Sequence, residues 1–135
     1  MAYWLFKSEP ETWSWDMQVA RGKRGQEWTG VKNFAARNHM RAMKKGDQGL
    51  FYHSGAEKRI VGIVAVVRQA HPDSTDSQWA CVDIAARDPV PKPVTLQKVK
   101  AEKKLADMAL VRISRLSVQP VTDAEWKTIC KIGGL

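Results

Sequence analysis

At 135 residues, 44% apolar and 27% charged, the chain has the composition of an ordinary globular protein with one core; it is too short for two domains and too apolar for disorder. A net charge of +8 and a pI near 9.7 argue for a phosphate-bearing partner, because each Lys or Arg set on a phosphate releases a counterion. Cys81 and Cys130 match neither a disulfide framework nor a metal-ligand spacing, and no apolar run reaches the length of a membrane helix.

Residues 2–7 form a β-rich run with Trp4 and Phe6 on one face and Tyr3 and Leu5 on the other. That two-sided apolar pattern belongs to a strand in the middle of a sheet. The chain is expected to begin directly in its fold, with no targeting segment ahead of this strand. Pro10 ends the run, since it has no donor and restricts Glu9 to an extended conformation. Lys7, Ser8 and Glu9 are thus left at a strand's carboxyl end, where sheets present binding groups. Thr12 or Ser14 caps a short helix to about residue 20 that carries Trp13, Trp15, Met17 and Val19. The six tryptophans exceed average usage, so several are expected to line a pocket or surface while at least half fill the core.

Between residues 21 and 45 the sequence sets eight cations (Arg21, Lys23, Arg24, Lys32, Arg37, Arg41, Lys44, Lys45) against the single acid Glu27. Nearly all the net charge is concentrated there, a gradient suited to a polyanion. Residues 21–27, with Gly22 and Gly25, read as a mobile basic loop. Asn33 is an N-cap for a helix over 34–45, with Ala36, Met40 and Met43 as its buried stripe. Arg37, Arg41 and Lys44 repeat that spacing one residue on, and Gly46 is the stop.

In residues 50–54 alternation sends Leu50, Tyr52 and Ser54 to one side and Phe51 and His53 to the other. Residues 60–68 predict a buried strand in an antiparallel hairpin with the preceding one. Residues 69–78 are loop by composition, 79–85 a strand with Val82 and Ile84 inward, and 87–94 an irregular extended segment rich in proline. Thr95 caps a helical turn, residues 102–106 form another, and 110–113 with 116–118 read as a late, interrupted strand. Thr122 and Glu125 make a capping box for a last helix that buries Trp126, Ile129 and Cys130. These elements predict an α+β domain of five or six strands, built as a closed or nearly closed small mixed barrel with short flanking helices.

His39, His53 and His71 have no Cys or His partner at ligand spacing, so no metal is expected. A P-loop, GxGxxG and GxSxG are all missing, which removes nucleotide hydrolysis, dinucleotide cofactors and α/β-hydrolase chemistry; no cofactor is expected. What remains is a base-binding set. Trp28, with Trp13 or Trp79, supplies stacking faces, and Ser8, Glu9, Asn33, Tyr52, His53 and Ser54 supply hydrogen-bonding edges, the two things a nucleobase presents. Asn33 equally reads as a helix cap, Tyr52 as core and His53 as a satisfied polar residue.

The segments WLFKSEP (4–10), WTGVKNFAARNHMRAMKKGD (28–47) and LFYHS (50–54), followed by VGIV (61–64), PVTLQKVK (93–100) and LVRISRLSVQPV (110–121), resemble the EVE-domain family in order over essentially the whole chain. The resemblance implies a PUA-like fold related to the YTH domains that read methylated adenosine in RNA. It further implies a reader of modified bases, with modified cytosine in DNA favoured and RNA as the alternative. On that pattern Trp28 is a wall of the pocket, and the residue-based reading sets Trp13 beside it. Lys7, Ser8 and Glu9 form the polar rim, and Asn33, Tyr52, His53 and Ser54 the other side. Arg37, Arg41 and the loop residues Arg21, Lys23 and Arg24 would meet phosphates, and the charge run adds Lys32 and Lys44 as phosphate contacts. The short loop at 55–59 fits the compact bacterial members. A monomer is expected, in the cytoplasm or in the nucleus were the source eukaryotic, with nucleic acid and not membrane as partner. Two other readings use the same residues. One is a hydrolase of modified nucleosides, by analogy with PUA-like domains of the ASCH type, with Lys7 and Glu9 as acid-base pair and Ser8 nearby. The other is a protein-interaction module presenting a Trp-rich surface.

Overall fold

The computed structural model describes residues 1–135. Strand β1 (Tyr3–Ser8) leads into helix α1 (Trp15–Ala20), the short strand β2 (Gln26–Glu27), helix α2 (Phe34–Ala42) and strand β3 (Gln48–His53). Two long strands, β4 (Arg59–Asp73) and β5 (Asp76–Thr95), form a hairpin. Helices α3 (Leu96–Ala101) and α4 (Ala109–Arg112), strand β6 (Val118–Val121) and helix α5 (Asp123–Ile132) complete the chain. The six strands make one mixed sheet in the order β2-β5-β4-β3-β1-β6, with β1 parallel to β3 and the other pairings antiparallel.

Strand alternation sorts the core into two clusters. Trp4, Phe6 and Phe51 pack with Ala36, Met40 and Met43, so the stripe expected on α2 covers one face of the sheet. Leu5, Leu50 and Tyr52 pack with Val99, Leu110, Trp126 and Ile129 on the other. Each fully buried side chain of this size contributes roughly 1.5–3 kcal/mol. Trp15 lies on Gly62 of β4, where a Cβ would come within 2.4 Å of its ring. The Thr122–Glu125 capping box is present at the start of α5.

Several local expectations are corrected. Residues 69–78 are not a loop: β4 runs to Asp73 and β5 starts at Asp76, leaving a two-residue turn. The ribbon carries polar residues because much of it is exposed, and composition alone mistook that exposure for irregularity. Register shifts along β4 and β5 mark bulges, which bend and twist such ribbons. The proline-rich 87–94 segment belongs to β5, beyond the reach of β2, which pairs only with Asp83 and Ile84; proline is tolerated at such a margin. Residues 110–113, read as strand, lie in or beside α4, whose turn is closed by Arg112 N–H to Met108 O (3.1 Å) and Ile113 N–H to Ala109 O (2.8 Å). Here β-branched propensity yields to the burial of Leu110. Helix α2 stops at Ala42, because the Asp47 carboxylate accepts the Lys44 N–H at 3.0 Å and draws the chain out of helix; Gly46 sits in the turn beyond. The 21–27 segment is a 3-10 turn (Gly22–Arg24) and β2, and is held: a Cβ on Gly25 would lie 2.5 Å from Ile84 O.

Candidate nucleic-acid interface

The carboxyl end of β1 opens into a cleft of about 410 Å³, within the range of small-ligand sites. Lys7, Ser8 and Glu9 form one side, Trp13 and Thr12 another, and the 26–32 segment with Trp28 the third. The turn after β1 is closed by Thr12 N–H and Trp13 N–H, both donating to Glu9 O at 2.9 Å. Buried Ser8 donates through Oγ to the Trp13 carbonyl. The Trp13 indole N–H donates to Gln18 Oε1 (2.9 Å), and wholly buried Gln18 donates in turn to Ile84 O (2.9 Å). The Trp13 ring is therefore fixed through α1 to β5.

Trp28 is fixed from behind. Its backbone N–H donates to Val82 O at 2.8 Å, and its ring meets Phe6 and Phe51 edge to face at 5.4 and 5.8 Å. With 8% of its surface exposed it is a wall grown out of the core. The loop beyond it is tied by buried Asp73, whose carboxylate accepts Gly30 N–H at 2.8 Å and Thr75 N–H at 2.7 Å. Burial alone would raise the Asp73 pKa, but the hydrogen bonds from Thr75, Gly30 and Asp76 outweigh it and hold the carboxyl below its usual range.

The rim carries both signs of charge: Lys7 and Lys32 against Glu9 and Glu27. Such a mixture suits the donor and acceptor edge of a heterocycle better than a bare phosphate. Burial pushes the Lys7 ammonium below the ordinary lysine value, and its Nζ donates to Ser114 O at 2.7 Å.

Of the residues expected in the pocket, Lys7, Ser8, Glu9, Trp13 and Trp28 line it, and four do not. Asn33 caps α2, accepting Ala36 N–H at 2.9 Å. Tyr52 lies in the core cluster on the opposite side of the sheet, where burial pushes its hydroxyl pKa up. His53 and Ser54 form a layer behind Ser8. Ser54 N–H donates to Ser8 O at 2.8 Å, while His53 Nε2 accepts Trp15 N–H at 3.0 Å and its Nδ1 bonds Glu57 at 2.9 Å. Since Nε2 accepts, the proton of the neutral ring is on Nδ1. Trp79, weighed as a stacking face for this pocket, lies outside it. Thr29, Gly30, Val31 and Ser117 also line the cleft, and Gln18, which does not line it, holds Trp13 from behind. The Trp13–Gln18 separation of five residues is not a helical contact spacing and carries no local signal, and the apolar neighbours Met17 and Val19 are exposed.

Arg21, Lys23, Arg24, Arg41 and Lys44 are exposed, whereas Arg37 is half-buried. Lys32 forms an exposed ion pair with Asp76 at 2.7 Å. Because α2 ends early, Lys44 leaves the helical row that Arg37 and Arg41 share.

The hairpin creates one cluster that sequence spacing concealed. Its register sets His71 opposite Cys81, and with Glu27 they offer three ligand atoms within 4.8 Å of one another. A structural zinc takes four such donors, and His71 Nε2 is engaged by Asp83 at 2.7 Å. Burial, reinforced by Glu27, pushes the Cys81 thiol up to about 12. No helix is long and apolar enough to cross a membrane.

The model of the EVE domain matches residues 2–132. Mouse thymocyte nuclear protein 1 is 32% identical over 164 aligned positions, covering 96% of this chain and 73% of that protein. Among solved structures, protein Atu2648 from Agrobacterium tumefaciens superposes with a TM-score of 0.98 at 56% identity, covering 100% of this chain and 94% of that one. The human THYN1 protein in complex with 5-methylcytosine containing DNA superposes with a TM-score of 0.92 at 28% identity, covering 100% and 99%. A YTH domain of Zygosaccharomyces rouxii, in complex with N6-methyladenosine RNA, shares the fold alone (TM-score 0.61, 17% identity, covering 98% and 86%). By its match over nearly the whole length, and by a six-stranded mixed sheet that superposes on those relatives, the chain belongs to the EVE-domain family.

Proposed function

We infer that this protein is a non-catalytic nucleic-acid reader that takes a modified, flipped-out base into the cleft bounded by Lys7, Ser8, Glu9, Trp13 and Trp28. The observation that carries this reading is the pairing of two anchored indoles with a rim of mixed charge in one cleft of about 410 Å³. Aromatic walls take the face of a base and the rim takes its edge. The human relative in complex with 5-methylcytosine DNA supports modified cytosine in DNA as the ligand. Exposed Arg21, Lys23, Arg24 and Arg41 supply the sequence-independent attraction for the backbone.

The hydrolase reading is less well supported. Ser8 gives its proton to a backbone carbonyl and Lys7 donates to Ser114 O, so neither is aligned as nucleophile or base for the other.

Titration of matched oligonucleotides with cytosine or 5-methylcytosine at one position tests the proposal. Tighter binding of the modified strand supports it, and equal, salt-sensitive affinity for both contradicts it.

A further inference from the structure

Phe34 has no core reason to be where it is. It is the first residue of α2, off the Ala36, Met40, Met43 stripe, and 65% exposed. Its ring lies 5.2 Å from that of half-buried Trp79 on β5, tilted by 35°. Arg37, one turn along α2, lays its guanidinium 4.8 Å from the Phe34 ring centroid and 5.4 Å from that of Trp79. Lys32 Nζ stands 5.7 Å from the same indole. Two aromatic rings and two cations thus share one open patch, and Arg41 with Trp79 lines the shallow depression of about 280 Å³ beside it.

The patch is continuous with the base cleft, because Lys32 lines that cleft and also faces Trp79. Its only acid in ion contact is Asp76, the partner of Lys32 at 2.7 Å. An apolar peptide would not call for that ring of cations, and a bare phosphate would not call for the rings. An unpaired nucleobase with its attached phosphate calls for both.

We propose that Phe34 and Trp79, with Arg37 laid against both rings, form a second stacking site that receives an unpaired nucleobase of the strand whose modified base occupies the cleft. The proposal rests on the base-reader inference above and extends it: the cleft selects the modification, whereas the patch holds a neighbouring base without regard to its identity. Every base has a π-face, so the second site adds affinity and not discrimination.

The test uses the full chain, a single-stranded oligonucleotide carrying one 5-methylcytosine, its cytosine counterpart, and a series with each flanking nucleotide in turn made abasic. Phe34→Ala should weaken binding of both parent strands by roughly 5- to 150-fold, the loss of one base–aromatic stack, and leave their affinity ratio unchanged. Phe34→Trp should restore it. One flanking abasic position should weaken the wild type by a similar factor and leave Phe34→Ala unaffected. Wild-type affinity in Phe34→Ala, or abasic effects equal in wild type and variant, would overturn the proposal. Failure of the base-reader inference shows separately, as a wild-type affinity ratio of one. Because Phe34 is exposed, an unchanged melting temperature confirms that the variant is folded.

Discussion

Asp73, at the end of β4, accepts the backbone N–H of Gly30 at 2.8 Å and so joins the tip of the β4–β5 hairpin to the loop that follows Trp28. Gly30 adopts φ 78, a conformation that favours glycine, and points its amide into the carboxylate. The cleft wall therefore depends on a residue far away in sequence that does not line the cleft.

Asp73→Ala leaves the Gly30 and Thr75 donors without their acceptor and should destabilise the fold by about 2–3 kcal/mol, measured by urea unfolding. Its acid dependence has a definite sign. The folded-state pKa lies below the unfolded value, so the contribution is complete above the unfolded pKa of about 3.9 and is lost as pH falls through the folded one. The variant should show a flatter acid limb in stability against pH than the wild type.

Trp28→Ala removes a wall that is also core, packed on Phe6 and Phe51, and should cost about 3–5 kcal/mol. Base discrimination is therefore better probed at the rim. Glu9→Gln changes the exposed edge and should lower the affinity ratio between modified and unmodified strands, with little change in melting temperature.

Lys7 should give binding an early alkaline limb. Burial lowers its pKa, so its charge is lost, as pH rises, before that of ordinary surface lysines. Affinity should fall through that window in the wild type, and Lys7→Arg, which keeps its charge, should remove the early fall.

Asn33→Ala separates the cap from the pocket. Loss of the Oδ1 bond to Ala36 N–H should cost about 1 kcal/mol of stability and leave base discrimination intact. By contrast, Arg24→Ala or Arg41→Ala should weaken all strands alike and lower the slope of log affinity against log salt by about one each.

Where a residue's role is set by its neighbours in sequence, the sequence displayed it. The two-sided run of β1, the Asn33 cap with its Ala36, Met40, Met43 stripe and the Thr122–Glu125 box all survive into the fold, because each depends on contacts within a few residues. The cleft was half legible for the same reason: Lys7, Ser8 and Glu9 are marked by the proline that ends their strand. Tyr52 shows the limit. Alternation placed it on the Leu50 side, but that this side is covered by Val99, Leu110, Trp126 and Ile129 of α3, α4 and α5 is a long-range outcome with no local signature. His71 and Cys81 likewise meet only through hairpin register, in a stretch whose polarity hid the ribbon. Asp73 was hidden in the same way.

The base is proposed to enter between the end of β1 and the two indoles. Amide and indole N–H shifts of the labelled protein, followed as a 5-methylcytosine oligonucleotide is added, test it most directly. The largest changes are expected at Ser8, Glu9, Gly30 and the Trp13 and Trp28 side chains, all reduced with the unmodified strand. Changes confined to Arg21, Lys23, Arg24 and Arg41, identical for both strands, would contradict it.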